Sequence, residues 1–202
     1  MSTIQPDVAD SGIIAGTTPY PWPYDADLTR SRVSLVVLGW SEFWWQRCAA
    51  PAAVVGPIVR LAAAVGSVIA VEQLAGGIHR PLADPVGHGT PPTLPGAQVL
   101  SAVGIDGFYG SPLDAVLRAD RRDQLLLVGL GLETTVHSTM RSANDRGYEC
   151  LLVVDACAPL DPGVVPYATS MVEMSGGIFG AVGTTDHVLA ALGGEPFPGG
   201  TS

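Results

Sequence analysis

The stretch LLLVGLGLETTVHSTMRSANDRGYECLLVVDA, residues 125–156, decides the fold. It predicts a buried strand, a tight glycine-containing turn, a helix that ends at Gly147 and a second buried strand. In an open α/β sheet, ligands and chemistry are usually found beyond the carboxyl end of such a strand. The turn there reads Glu133-Thr134-Thr135 and offers no cysteine, no serine and no histidine–carboxylate arrangement. We call the turn at residues 131–135 the corner. It lies where a catalytic group is expected, but it contains no residue that would evidently serve as one.

The same alternation of strand and helix extends along the chain. Apolar runs predict six strands, at 33–39, 67–74, 97–103, 124–130, 149–156 and 178–184. Helical periodicity, caps and glycine stops predict helices at 51–66, 111–120, 134–146, near 163–174 and at 185–192. Alternating elements of this kind require right-handed crossovers and a parallel sheet covered on both faces. The sequence predicts a three-layer α/β/α sandwich with a mostly parallel six-stranded sheet.

Two segments interrupt or precede this pattern. Residues 1–32 are rich in proline and turn formers, which predicts an extended N-terminal arm anchored by Trp22 and Tyr24. Residues 33–202 form the predicted α/β domain. Within it, the loop-rich insertion 75–96 is expected to form part of a pocket rim.

Composition excludes several classes of function. The 202 residues carry a net charge of -9, and all ten basic residues are arginine. The negative charge argues against nucleic acid and anionic membranes as partners. The lack of lysine excludes any mechanism that needs a lysine ammonium or a Schiff base. No apolar run reaches the roughly 18 residues of a membrane span, and no secretory signal is evident, so we expect a cytoplasmic protein.

The carboxyl ends of the predicted strands supply the candidate site residues. Glu42, Glu72 and Glu133 are candidates for proton transfer, and the alternatives are a solvated loop carboxylate or a helix N-terminal charge. The candidate ligand-binding residues are polar or aromatic groups near the same ends: Trp40, Gln73, Phe108, Thr134 and Thr135. For the tryptophan, core or interface packing is the alternative.

Metal and thiol chemistry have little support. His79, His88 and Asp84 would be the ligands of a metal site in the rim loop, but their pattern is a weak one, and we predict no metal. Cys48, Cys150 and Cys157 show no metal-ligand spacing.

Several joined blocks resemble one known family. TVHSTMRSANDRGYECLLVVDACAPLDP, followed by EMSGGIFGAVGTTDHVLAAL, resembles the isochorismatase-like cysteine hydrolases, and within them the biuret-hydrolase-like amidases. PWPYDADLTRSRVSLVVL resembles the same subgroup's lead into its first strand, and HRP at 79–81 resembles a loop after its second. The resemblance implies an isochorismatase-like fold, homo-oligomers (dimers or tetramers) and no organic cofactor.

The resemblance also implies a catalytic triad of aspartate, lysine and cysteine, in which the cysteine attacks a carbonyl or C–N carbon. Matched position by position, the aspartate corresponds to Gly39, the lysine to Ala102 and the cysteine to Thr135. A threonine hydroxyl without an adjacent base is a poor nucleophile. The resemblance therefore implies a hydrolase scaffold without covalent cysteine hydrolysis.

Three hypotheses stay open. The small-molecule pocket serves non-covalent chemistry, such as isomerisation, cyclisation, elimination or hydration. Alternatively, the chain is an inactive pseudoenzyme that binds a ligand or supports a partner subunit, including hetero-oligomers with an active homologue. A weaker alternative is a C–N hydrolase with relocated catalytic residues. A pocket that is kept open and has several convergent polar groups would favour the non-covalent chemistry, whereas a pocket filled by Trp40 or Phe43 would favour the pseudoenzyme.

Overall fold

A single parallel sheet organises the chain in a computed structural model, which describes residues 12–73 and 84–193. Its strands are β1 to β6 in chain order: Val33–Leu38, Val68–Gln73, Gln98–Ala102, Gln124–Leu130, Glu149–Ala158 and Ala181–Gly183. All are largely buried except the edge strand β3, in which only Leu100 and Ala102 are buried. Their spatial order is β3-β2-β1-β4-β5-β6, and every neighbouring pair is parallel. The chain thus runs outward to one edge from β1, crosses back at β4 and continues to the other edge. This arrangement confirms the predicted six-stranded parallel sheet.

Helices connect the strands and cover the sheet. They are α1 to α6: Glu42–Trp45, Val55–Ala64, Leu113–Ala119, His137–Asp145, Val165–Glu173 and Thr185–Ala191. Short 3₁₀ turns at Pro51–Val54 and Pro162–Val164 lead into α2 and α5. None of the helices in the described ranges is long and apolar enough to span a bilayer.

The alternation of side chains along β1 explains the three layers. All six residues of this strand are buried, as its continuous apolar run predicts. Leu35 and Val37 point into one apolar cluster, whereas Val36 and Leu38 point into the other. Each face of the sheet therefore has its own core, and the strand termini remain as the edges at which a site can form.

The predicted helix at 134–146 begins differently from expectation. Residues Leu132–Val136 form a π-type turn, and the α-helix starts only at His137. The amide of Val136 donates to the Gly131 carbonyl five residues earlier, at 3.2 Å, and the Thr134 hydroxyl donates to the same carbonyl. The hydroxyls of this turn compete for backbone carbonyls, so the local register widens.

The segment 12–32 is held against the sheet by buried side chains. Ile14 and Trp22 are fully buried in the core cluster that contains Leu35. Thr18 pairs with Val182 on the edge strand β6. Tyr24, by contrast, is 81% exposed, so it does not anchor this segment within the described chain.

Candidate ligand-binding site

The three positions matched to a catalytic triad lie at the carboxyl ends of β1, β3 and β4, and all three are buried. Gly39 follows β1, Ala102 ends β3, and Thr135 lies in the turn after β4. Ala102 and Thr135 have no exposed surface. At these positions the chain presents backbone and small side chains.

Gly39 closes the end of β1 through its backbone. Its φ of +64° lies in the left-handed region, where glycine is strongly favoured. A Cβ atom built there would lie 2.5 Å from the carbonyl oxygen of Leu130 on the neighbouring strand. In this backbone conformation, no longer side chain fits at position 39 without a shift of the main chain.

Gln73, the last residue of β2, bridges this end of the sheet. Its Oε1 accepts a hydrogen bond from the Gly39 amide, and its Nε2 donates to the Ile105 carbonyl at 3.3 Å. In the sheet, Gln73 pairs directly with Ala102 of β3. The amide side chain is 2% exposed, so it serves as internal packing that satisfies backbone groups.

The Thr135 hydroxyl forms its hydrogen bonds with backbone carbonyls. It donates to the carbonyls of Leu130 and Gly131 within its own turn. The Leu130 carbonyl thus faces both Gly39 and Thr135 and fills the space between them. A hydroxyl that is buried and donates to carbonyl oxygens has no base to remove its proton.

Cys48 is the thiol nearest to this corner. Its sulfur lies 3.1 Å from the Gly131 amide nitrogen, which donates to it, and its side chain is 2% exposed. Burial raises the pKa of this thiol to about 12. At neutral pH the group is therefore a protonated, inaccessible thiol and no substitute nucleophile. Cys150 and Cys157 are also free and buried.

An open cavity lies beside the closed corner, at the ends of β1 and β2. Its volume is about 310 Å³. Its polar lining includes Ser41, Glu42 and Glu72, and Trp40 forms part of the wall. The remainder comes from β2, β3 and the loop before β3: Ala70, Thr90, Pro91, Pro92, Thr93, Leu94, Ala97 and Val99. Of the predicted rim loop 75–96, residues 90–94 line the cavity, whereas 75–83 lie outside the described residues.

The polar groups of this cavity are mostly hydrogen-bond acceptors. Glu72 is half-buried, and the exposed Glu42 accepts a bond from Gln46 at 2.7 Å. The Ser41 hydroxyl is buried and has no hydrogen-bond partner within the described ranges. Trp40 is 6% exposed, and its indole N–H donates to the Pro92 carbonyl at 2.9 Å, which fixes the ring against the loop. The cavity thus combines a fixed aromatic wall with two carboxylates.

The remaining candidates lie elsewhere. Glu133 lines a different cleft, and its carboxylate accepts hydrogen bonds from the backbone amides of Leu160 and Asp161 at 2.9–3.1 Å. Phe108 is buried against Tyr148. Gln73, Phe108, Thr134 and Thr135 line neither this cleft nor the cavity beside Trp40. The structure therefore groups Trp40, Glu42 and Glu72 and separates them from the other candidates.

The metal hypothesis lacks a cluster in the part of the chain that the structure describes. His88 and Asp84 are exposed, and His79 lies outside the described residues. Within those ranges no three histidine, cysteine, aspartate or glutamate side chains are arranged to hold an ion.

The structure adds residues to the candidates predicted from the sequence. Ser41 lies at the predicted strand end between Trp40 and Glu42, but a serine at that place gives no signal that would assign it a role. The cleft that holds Glu133 is lined by His137, Ser138 and Arg141 from one helix and by Tyr167 and Met171 from another. Because spatial contact between α4 and α5 decides that grouping, only the spacing 137, 138 and 141 on one helical face could have indicated it.

Comparison with known proteins agrees with this fold. The cysteine hydrolase of Pseudomonas syringae pv. phaseolicola superposes with a TM-score of 0.68 at 20% identity, covering 85% of this chain and 95% of that one. N-carbamoylsarcosine amidase of Thermoplasma acidophilum superposes with a TM-score of 0.58 at 27% identity, covering 77% and 97%.

A sequence relative and a family model complete the comparison. The ureidoacrylate amidohydrolase of Methylorubrum extorquens is 35% identical over 68 residues, which cover 34% of this chain and only 27% of that protein's length. The family model for the isochorismatase domain matches residues 35–187, from the start of β1 into α6. This chain therefore belongs to the isochorismatase family.

Proposed function

We propose that this chain binds a small amide- or ureido-bearing molecule in the cavity beside Trp40 and does not hydrolyse it through a cysteine-type mechanism. The observation that carries the proposal is the contrast between two neighbouring places. The corner around Thr135 is closed, whereas a cavity of about 310 Å³ is open at the ends of β1 and β2.

The chemistry of the lining supports this class of ligand. Amides and ureas present N–H donors, and the cavity offers the acceptor oxygens of Glu42 and Glu72 together with the unpartnered Ser41 hydroxyl. A planar group of this kind also fits the indole face of Trp40. The relatives named above carry C–N hydrolase names, which favours ligands of the same chemical type.

The closed corner supports the absence of hydrolysis. Covalent amide hydrolysis requires a nucleophile that can lose its proton and a base within hydrogen-bond reach. The Thr135 hydroxyl donates to two carbonyls, and the Cys48 thiol is buried with a raised pKa. Our proposal therefore gives the chain a ligand-binding role without cysteine-type hydrolysis.

A second candidate function is non-covalent chemistry in the same cavity. Glu42 and Glu72 line one cavity, and a carboxylate beside a bound ligand can move a proton, as isomerisation or elimination requires. This candidate predicts turnover that is lost in both Glu72→Gln and Glu42→Gln.

We further propose that the protein acts in the cytoplasm as a homo-oligomer. The three cysteines are free and buried, which suits a reducing compartment.

Binding and turnover can be measured separately. Biuret, N-carbamoylglycine and nicotinamide would each be titrated by calorimetry and incubated with the protein in an ammonia-release assay. We expect binding of at least one ureido compound without ammonia release. Glu72→Gln should weaken that binding about tenfold, or about 1.4 kcal/mol. Glu133→Gln is the matched control, because its carboxylate lines another cleft, and it should bind as the natural chain does.

Two results would overturn the proposal. Ammonia release that disappears in Thr135→Ala would place a nucleophile at the closed corner. A failure of all three compounds to bind at millimolar concentration would remove the ligand class.

A further inference from the structure

A cleft of about 380 Å³ lies between the π-type turn with α4 on one side and α5 on the other. The turn and α4 contribute Glu133, His137, Ser138 and Arg141. The facing wall is mostly apolar and comes from the start of α5 and the turn before it: Val164, Tyr167, Ala168 and Met171. It shares no lining residue with the cavity beside Trp40.

At one end of the cleft lies the guanidinium of Arg141, which forms no ion pair within the described ranges. Arg141 takes part in none of the ion pairs or side-chain hydrogen bonds found across residues 12–73 and 84–193. Its guanidinium instead lies over the Phe179 ring, 4.7 Å from the centroid. A guanidinium fixed by stacking, with its N–H donors free, suits a carboxylate.

The other end carries acceptors. Glu133 lies eight positions before Arg141, a separation of roughly 12 Å along the helical segment. Its carboxylate is held by two backbone amides and keeps further lone pairs for a donor.

His137 lies between these ends and has an unsatisfied nitrogen. The residue is 7% exposed, and its Nε2 is buried without a hydrogen-bond partner in the described ranges. Burial lowers the pKa of the imidazole and the nearby Arg141 charge lowers it further, so the ring is neutral near pH 7. A buried polar atom without a partner is costly, and a ligand N–H or O–H is the kind of group that satisfies it.

We propose that this cleft is a second small-molecule site, and that it takes a short carboxylic acid with an apolar body and a hydrogen-bond donor at its far end. The carboxylate binds Arg141, the body packs against Tyr167 and Met171, and the donor reaches His137 or Glu133. The inference is independent of the ligand in the cavity beside Trp40.

Three probes of similar size test each element of this proposal: 4-hydroxyphenylacetate, phenylacetate, which lacks the donor, and 4-hydroxyphenethyl alcohol, which lacks the charge. Binding would be followed by titration calorimetry and by two-dimensional amide NMR. We expect 4-hydroxyphenylacetate to bind at least tenfold more tightly than either analogue. The largest shifts should fall on α4 and α5.

Three single substitutions test whether the probe binds in this cleft. Arg141→Gln should weaken binding about tenfold, whereas Arg121→Gln, which removes an exposed arginine that does not line the cleft, should leave it unchanged. Ser138→Leu should block the cleft without removing any charge. Circular dichroism and thermal melting would confirm that all three variants fold.

Some outcomes would overturn the proposal. Equal binding of the charged and uncharged probes would contradict the role of Arg141, as would unchanged binding in Arg141→Gln. Absence of binding to the natural chain at 10 mM, a concentration set roughly by the weakest affinities of interest, would also end it. If light scattering then showed an oligomer that Ser138→Leu dissociates, the cleft would be a subunit contact instead. The cavity beside Trp40 and this cleft are tested with different ligands. If ureido compounds fail to bind beside Trp40, the test of the cleft is unaffected, and the two proposals can fail separately.

Discussion

At the scale of single residues, the closed corner depends on the backbone conformation of Gly39. The positive φ allows its amide to meet the Gln73 side chain, and the missing Cβ leaves room for the Leu130 carbonyl. Side-chain chemistry and backbone shape are therefore linked at this position. A substitution here changes the strand end as well as the residue.

Gly39→Ala should destabilise the protein. A non-glycine residue in the left-handed region costs roughly 1–2 kcal/mol, and contact with the Leu130 carbonyl adds to this cost. We expect the free energy of unfolding, measured by denaturant titration, to fall by at least about 2 kcal/mol.

Gly56→Ala is the matched control for this measurement. Gly56 lies exposed in α2, and a Cβ added there meets nothing within 4 Å. Alanine is the better helix former, but the ring of the following Pro57 disfavours a Cβ in the α region, so stability should change by less than about 1 kcal/mol. Equal effects of the two substitutions would contradict the backbone role given to Gly39.

At the scale of elements, the segment 12–32 depends on one buried aromatic side chain. Trp22 is fully buried beside Ile14, and its neighbour Tyr24 is largely exposed. Two aromatic residues close in sequence therefore play different roles, and they form a natural pair for mutagenesis.

Trp22→Ala should cost about 3–5 kcal/mol, the usual range for a large aromatic removed from a core. Tyr24→Ala should cost less than about 0.5 kcal/mol, as is usual for an exposed site. Chemical unfolding monitored by circular dichroism gives both values. Should the two variants be equally stable, this segment would not be part of the folded core.

The elements were largely predictable from the sequence, because most of the strands are apolar runs between turn residues. The parallel order and both sheet faces followed from the alternation of elements. The π-type turn at 132–136 was not predicted, because the hydroxyls of Thr134 and Thr135 bond carbonyls that periodicity does not report.

The site was less predictable than the fold. The sequence located Trp40, Glu42 and Glu72 at strand ends, which is where the cavity lies. The sequence did not indicate that Glu133 lies apart from Trp40, Glu42 and Glu72. Their grouping depends on the direction in which each strand end faces. The closure of the corner by Gln73 depends on a contact between two strands that are far apart in sequence.

At the scale of the whole molecule, two large apolar side chains are exposed just beyond the edge strand β3. Val103 is 45% exposed and Tyr109 is 63% exposed. An edge strand also presents unpaired backbone groups, which makes it a common place for association. This face therefore suits the contact in the homo-oligomer proposed above.

Val103→Glu should shift the protein toward monomers, because a charge placed in an apolar contact must lose its hydration. Size-exclusion chromatography with light scattering should show an oligomer for the natural chain and a smaller species for the variant. Val86→Glu, at an apolar residue outside β3 that is 74% exposed, should leave the mass unchanged. A natural chain that is already monomeric, or a variant of the same mass, would contradict this contact.

The left-handed peptide at the end of β1 also limits what protein engineers could recover from this scaffold. An aspartate placed at position 39, together with a lysine at 102 and a cysteine at 135, would meet the Leu130 carbonyl unless the backbone at position 39 changed its conformation. We therefore expect that the three substitutions on the existing backbone would not assemble a catalytic group. A graft of the entire strand terminus, backbone included, is the practical unit of exchange.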